Sequence, residues 1–442
     1  MLTADQFDDL TAPLLELYER YQQSVLNDIA RRLAKAGRVT ATSAWQAQRM
    51  IESGALYENV LERLAVLSGQ SEAELRRMFS EAGVKALRFD DTIYKQAGLN
   101  PIPLNLSPAM LEVLRTGMAR TNAIVRNLTM TTALEAQNAF IEAADMAYMQ
   151  VVHGAMDYNS AIRQAVKDVA AEGLPVIQYA NGHTDQLDVA MRRTVLTGVG
   201  QTVGELQIAR ADEMGQDLVA VSAHVGARNT GVGPANHESW QGQIYSRSDT
   251  HPKYRPFVET TGYGTGKGLH GYNCRHSFYP FIEGVSENVY RPEEYANKTV
   301  TYNGHEMTQY EASQRQRTIE RAIRRAKREA GALQAAGLDN SAELARVRAL
   351  QGRMRDFTQQ TGLARQYERE RVYVTKSGKD LNSNTISINL HSNHGDQLGI
   401  SKDLRPYYDD GDSSKPYMRE ANTVLSAFGK QHILNEHPER LD

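Results

Sequence analysis

Four side chains within one stretch of the sequence have the chemistry of metal ligands: His224, His237, Cys274 and His276. Zinc accepts mixed cysteine and histidine ligands in a tetrahedral shell. Cys274 and His276 are two residues apart, so on a strand they would face the same side. The spacings of the standard zinc fingers are absent, and the two pairs are far apart along the chain. Cys274 is the single cysteine. A four-cysteine zinc module and an internal disulfide are therefore both excluded, and the chain does not depend on an oxidising compartment. The competing reading for all four residues is packing and hydrogen bonding. No cofactor is expected, with a structural zinc as the alternative.

Other chemistries fit less well. In Asn273-Cys274-Arg275-His276 the basic neighbours would lower the thiol pKa, as a nucleophile requires. Nothing nearby supplies an obvious oxyanion hole or an orienting acid, so no catalytic residue is assigned. The run from Gly262 to Gly268 lacks the residue order of a phosphate-binding loop, and its glycines are read as tight turns. His237-Glu238 does not begin a zincin motif, because position 241 is Gln.

These groups need a scaffold, and its size and charge are bounded by composition. A chain of 442 residues, 41% hydrophobic and 23% charged, suits roughly three ordinary domains. With 50 Lys and Arg against 53 Asp and Glu, the net charge is −3. That excludes a nucleic-acid coat acting through bulk charge and a supercharged acidic tail protein. No secretory leader and no run apolar enough to span a membrane is expected.

Periodicity then places the elements. Leu14, Tyr18, Tyr21, Val25, Ile29 and Leu33 recur at steps of three and four, the face of a helix that Pro13 would open and Gly37 would stop. Ser71 and Glu74 have capping-box spacing, and Ser107-Pro108 is a second start signal. Helices are expected over 132–153 and 186–214, with a joint between helical groups at Asn100 to Pro103. The segment Leu218 to His224 reads as a short buried strand, with further strand-like pieces at Gln243–Ser246 and Arg275–Tyr279. Two apolar faces, Ile319 to Leu333 and Leu344 to Phe357, flank a turn at Gly337–Asn340 and predict an antiparallel hairpin. The fold class is therefore α+β, predominantly α-helical. The expected divisions are a helical region 1–153; a unit 154–285 whose small α+β module, rich in glycine and aromatics, spans about 217–285; a basic helical hairpin 286–372; and a polar tail 373–442, partly disordered or a separate small domain.

The near-neutral total hides an asymmetry. Residues 311–372 carry 14 bases and 8 acids, a local +6. The densest run is Arg315, Arg317, Arg321, Arg324, Arg325, Lys327 and Arg328. Such a stripe can neutralise phosphates without reading base sequence. Its plain alternative is a solvated helical face.

Five blocks in the central unit, taken in order, carry a resemblance. They are Ser222-Ala223-His224-Val225-Gly226-Ala227-Arg228; His237 with Trp240 to Ser246, including Gly242 and Tyr245; His251-Pro252-Lys253-Tyr254; Gly262-Tyr263-Gly264-Thr265-Gly266; and Gly271 to Pro280, including Asn273, Cys274, Arg275 and His276. Together they resemble the phage minor capsid protein 2 family, which is related to Mu-type head morphogenesis proteins. Weaker similarity extends over about residues 1–372. The loop Asn229 to Asn236 is longer than the family pattern.

The resemblance implies a non-enzymatic virion component, assembled in the bacterial cytoplasm and associated with the portal or capsid interior. It implies a part in head assembly and in DNA packaging or ejection. Expected partners are portal and capsid proteins, with packaged double-stranded DNA touched through its backbone by the basic hairpin. Two other readings stand beside it. One is an enzyme: a metal-dependent hydrolase in the central unit, or a toxin-like effector in the tail using His391, His394, Asp396, His432, Glu436 and His437. The other is a general DNA-binding protein.

Overall fold

The residues that make the first helical face, Leu14, Tyr18, Tyr21, Val25, Ile29 and Leu33, are each at most 2% exposed. They lie on helix α1 (Ala4–Ala36). The computed structural model describes residues 4–36, 42–178 and 184–372. Pro13 lies inside α1 rather than opening it. The second helix, α2 (Thr42–Gln96), is continuous through Ser71, so the capping-box reading of Ser71 and Glu74 is corrected. Leu56, Val60, Leu67, Leu75, Met78, Ala82 and Ala86 are buried along one side of the helix, with half-buried Leu64 between Val60 and Leu67, and this stripe carries the helix past the cap signal. The Ser71 hydroxyl bonds the Tyr18 hydroxyl at 2.8 Å, and Glu74 bonds Arg77.

After the joint, α3 (Pro108–Met130) and α4 (Thr132–Val152) follow, then α5 (Tyr158–Glu172). A two-stranded antiparallel pair, β1 (Pro175–Gln178) and β2 (Thr184–Gln186), leads into α6 (Leu187–Glu213). Buried residues of α6 include Leu187, Met191, Val195, Val199 and Val203. Two glycines let α3 and α6 touch. A Cβ on Gly117 would overlap the Thr202 side chain, and a Cβ on Gly198 would overlap Thr121. One hydrophobic core draws on α1, α2, α3, α4, α5, α6 and Ala332 and Leu333 farther along, so the three divisions expected up to residue 372 share it. Apart from 105–108, the described residues belong to one compact unit.

The chain then builds a small sheet, with strand order β5-β4-β3-β6. Its strands are β3 (Leu218–Val221), β4 (Ile244–Ser246), β5 (Arg255–Pro256) and β6 (Phe278–Pro280), with a single turn, α7 (Phe257–Thr261), after β5. β3 pairs antiparallel with both β4 and β6. Both faces of β3 are covered: Val219 and Val221 pack with Trp240, Tyr245, Phe257, Leu269 and Phe278, while Leu218 and Ala220 pack with Tyr279 and Phe281. That alternation is the two-residue period of a strand. Gln207 of α6 fastens the sheet to the helices, donating to Asp90 at 2.8 Å and to the Phe278 carbonyl at 2.5 Å.

A short helix, α8 (Pro292–Tyr295), precedes a hairpin of β7 (Thr299–Tyr302) and β8 (His305–Thr308). Asn303 (φ 51°) and Gly304 (φ 77°) form its turn, the pairing that a two-residue hairpin with positive φ prefers. Helices α9 (Gln309–Ala335) and α10 (Ser341–Thr361) close the described chain. Thr308 and Glu311 make a capping box at the start of α9. The architecture is predominantly helical α+β, as expected. The tail 373–442, with its six candidate residues, lies outside the described residues.

Candidate functional site

The exit of β3 and the entrance of β6 run side by side. Beyond the Val221–Phe278 pair, Ser222 N–H donates to the Ser277 carbonyl at 2.8 Å. This extended pairing sets His224 next to His276, with ring centroids 4.4 Å apart and planes 29° apart. His237 lies on a short 3-10 turn, His237–Ser239, and its ring meets His276 at 5.3 Å. Cys274 and His276 precede β6 on irregular chain, so the strand placement expected for them is corrected. Their atoms converge all the same, with Sγ 3.7 Å from Nδ1. The ligand atoms offered by His237, Cys274 and His276 lie within 4.8 Å of one another. Trp240 walls the group, 4.9 Å from His276 and 4.6 Å from His237.

The hydrogen bonds define which ring nitrogens carry protons. The backbone N–H of His224 donates to Gln241 at 3.0 Å, so the accepting atom must be the amide oxygen. The same Oε1 lies 3.0 Å from His276 Nε2, which must therefore donate. His237 Nε2 lies 2.9 Å from the Lys267 carbonyl, and His224 Nδ1 lies 3.1 Å from the Val225 carbonyl. A carbonyl only accepts, so both nitrogens carry the proton. The opposite nitrogens are unprotonated: His276 Nδ1 accepts the Cys274 S–H at 3.7 Å, while His237 Nδ1 and His224 Nε2 have no such donor among the described residues. His224 Nε2 is buried and makes no hydrogen bond within the chain. Burial lowers the pKa of His276 well below 6.5 and that of His237 to about 4, and it lowers that of His224. All three imidazoles are thus neutral at pH 7. Burial also pushes the Cys274 thiol up to about 11, the wrong direction for a nucleophile that must ionise unaided.

The glycine-rich loop holds this geometry. Leu269 N–H bonds Thr261 O at 2.9 Å, Tyr272 N–H bonds Gly266 O at 2.8 Å, and Cys274 N–H bonds Gly271 O at 3.2 Å. A Cβ on Gly268 would overlap the Gly262 carbonyl, and one on Gly271 would overlap Gly266. These are backbone atoms that cannot swing aside. Gly268→Ala should therefore lower stability by about 1–3 kcal/mol. Gly54, in mid-α2, has open space around it, and Gly54→Ala should raise stability by roughly 0.5–1 kcal/mol. Urea midpoints of the two variants check both signs; a neutral Gly268→Ala would mean the loop gives way.

Several other residues of the five blocks also have structural roles. Arg228 donates to Tyr272 O at 3.0 Å, and the Tyr245 hydroxyl donates to Trp240 O at 2.6 Å. Gly226, Gly242 and Asn273 take positive φ of 77°, 68° and 57°. Arg275 bonds Asp8 at 2.9 Å. Asp8 is also bridged by Arg192 at 2.6 Å and Arg369 at 2.9 Å. Neither this carboxylate nor the Gln241 amide stands out in the sequence. Gln241 has a signal, because it sits inside the second block; Asp8 has no local one.

The basic run of α9 divides. Arg315, Arg321 and Arg325 are exposed. Arg324 lies 3.4 Å from Asp188 and donates to Arg369 O at 2.6 Å. Lys327 donates to Glu370 O at 2.6 Å. Arg328 is buried against the end of α5. Arg317 lines a cavity of about 310 Å3 with Arg192, Arg275 and Arg369; burial and those three guanidiniums hold its pKa down to about 10. The stripe read from the sequence is thus partly an internal set of contacts.

Comparison with known proteins bears out the family resemblance. The model of a family described as phage minor capsid protein 2 matches residues 2–359. A "Structural protein" of Lactococcus phage LL-H is 25% identical over 347 residues, covering 75% of this chain and 90% of that protein. A "Structural protein" of Lactococcus phage mv4 is 34% identical over 125 residues, covering 28% of this chain and 94% of that protein. No solved structure matches the chain.

Proposed function

The chain belongs to the phage minor capsid protein 2 family, and on that premise we propose that it is a structural component of the virion, placed at the portal or the capsid interior, and not an enzyme. The observation that carries the reading is the family match over residues 2–359, joined to a relative named as a structural protein that aligns over 90% of its own length. The raised thiol pKa and the internal use of the family's polar residues support a scaffold over a reaction centre. Among the described residues no helix is long and apolar enough to cross a membrane. Its partners are portal and capsid proteins. A row of exposed apolar side chains, Met146, Met149 and Val152 at the end of α4, offers a surface for such a contact. The test is co-purification: the chain should be found in intact virions and in portal-containing procapsids, and its absence from both would end this reading.

DNA packaging or ejection is the second part of the proposal. The exposed bases Arg315, Arg321, Arg325, Arg348, Arg353 and Arg355 form the surface available to phosphates. Arg315→Gln, Arg321→Gln and Arg325→Gln combined should flatten the salt dependence of duplex binding, by about 0.9 in the log–log slope for each phosphate that is no longer neutralised. Binding titrations between low and moderate salt measure it. An unchanged slope would remove the DNA contact and leave the capsid role standing.

A further inference from the structure

The ligand atoms of His237, Cys274 and His276 lie together with the His224 ring stacked beside His276, and we propose that Cys274 Sγ, His237 Nδ1 and His276 Nδ1 bind a zinc ion, with His224 Nε2 as the fourth ligand. The geometry already lies near that of a bound ion. The Cys274–His276 separation of 3.7 Å compares with about 3.5 Å for sulfur and nitrogen ligands sharing a tetrahedral zinc. The thiol and one ring nitrogen from each of His237 and His276 already lie within 4.8 Å of one another, so binding requires a small contraction. In each histidine the other ring nitrogen is left unprotonated, as a metal ligand must be, because its partner nitrogen donates to an oxygen: His237 to Lys267 O, His276 to Gln241 Oε1 and His224 to Val225 O; at His276 a bound ion would take the place of the Cys274 thiol proton. That outward bond to a carbonyl is how proteins orient metal-binding imidazoles. His224 Nε2 is the independent sign of a ligand: it is buried and makes no hydrogen bond within the chain, an arrangement that folded proteins otherwise avoid.

The donor set selects the metal class. Three imidazoles and one thiolate suit zinc, and they do not suit magnesium or calcium, which take oxygen ligands. Binding releases the thiol proton to solvent as the sulfur becomes a thiolate ligand. With four protein ligands the site is closed, so its role is structural. It joins the β3 exit, the His237 turn and the end of the glycine-rich loop, three irregular segments of a module whose strands are only two to four residues long. The inference does not depend on where the protein sits in a virion.

The experiment uses the full chain, purified without chelator from cells given zinc. Elemental analysis should find about one zinc per chain. Cobalt substitution should show a thiolate-to-cobalt charge-transfer band. Cys274→Ser should weaken zinc binding by more than about a hundredfold and abolish the band. Should that variant fail to fold, Cys274→His keeps four ligands: it should retain the metal while losing the band. Chelation of the wild-type chain should lower its Tm and expose residues 217–285 to protease. Folded protein with no zinc overturns the proposal, as does full stoichiometry in Cys274→Ser. Unchanged affinity in His224→Ala overturns the fourth ligand.

Discussion

Arg328→Gln is expected to lower stability by roughly 3–5 kcal/mol, the range for breaking a buried ion pair from one side. The Arg328 side chain is 5% exposed and that of Asp188 is 6%. Its Nε donates to Ala170 O at 3.1 Å, and its Nη2 donates to Gln186 Oε1 at 3.1 Å and Ala171 O at 3.4 Å. Ala170 and Ala171 lie in the last turn of α5, where the helix leaves carbonyls without partners and favours a cation. Asp188 lies 4.0 Å away. Glutamine is too short and too few in donors to serve all of these, so two carbonyls and a carboxylate would stay buried with fewer partners. Arg324, 3.4 Å from Asp188, compensates only in part. The denaturant midpoint should fall with an unchanged slope. Arg321→Gln, on the exposed side of the same helix, should stay within about 0.5 kcal/mol of the wild type. Equal midpoints for the two variants would show that Arg328 is a surface charge in effect.

Asp8→Asn should lower stability by about 3 kcal/mol at neutral pH, the low end of the same range, because the Asp8 side chain keeps 26% exposure. Three arginines from different parts of the chain meet it: Arg192 of α6, Arg275 before β6 and Arg369 beyond α10. Asparagine keeps the shape and removes the charge, leaving three guanidiniums facing one another. Burial raises the Asp8 pKa, and the combined attraction of Arg192, Arg369 and Arg275 outweighs it, so the net shift is below 3.8. A carboxyl with a lowered folded pKa contributes stability that is complete above its unfolded pKa and disappears as pH falls through the folded value. The difference in unfolding free energy between wild type and Asp8→Asn should therefore be flat from pH 7 down to about 5. It should shrink once the pH drops below 3.8. A gap that persists at low pH would mean that packing, not charge, is what Asp8 contributes.

Local patterns are legible wherever the decisive contacts are local. The face of α1 is readable because six side chains at helical spacing all point one way into the core. The start of α3 at Pro108 and the extents of α4 and α6 follow from caps and periodicity. The β7–β8 hairpin escapes a reading by periodicity although Asn303-Gly304 is a strong turn signal, because its two strands are only four residues each. Ser71 and Glu74 mislead for another reason: a cap signal is worth about 1 kcal/mol, and the buried stripe running through α2 outweighs it.

By itself, the sequence determined the helical character, the buried strand β3, the family and the proximity of Cys274 to His276. Each depends on spacing over a few residues or on an ordered set of motifs. Only the tertiary structure decided which bases of α9 face solvent. A helix presents cations on most of its sides, and what packs opposite them, here Asp188, the end of α5 and Glu370, comes from distant parts of the chain. It also decided that His224 and His237 reach the Cys274–His276 pair. That approach is made by pairing beyond β3 and β6 and by backbone contacts at Gly268 and Gly271, long-range geometry to which spacing along the chain is blind.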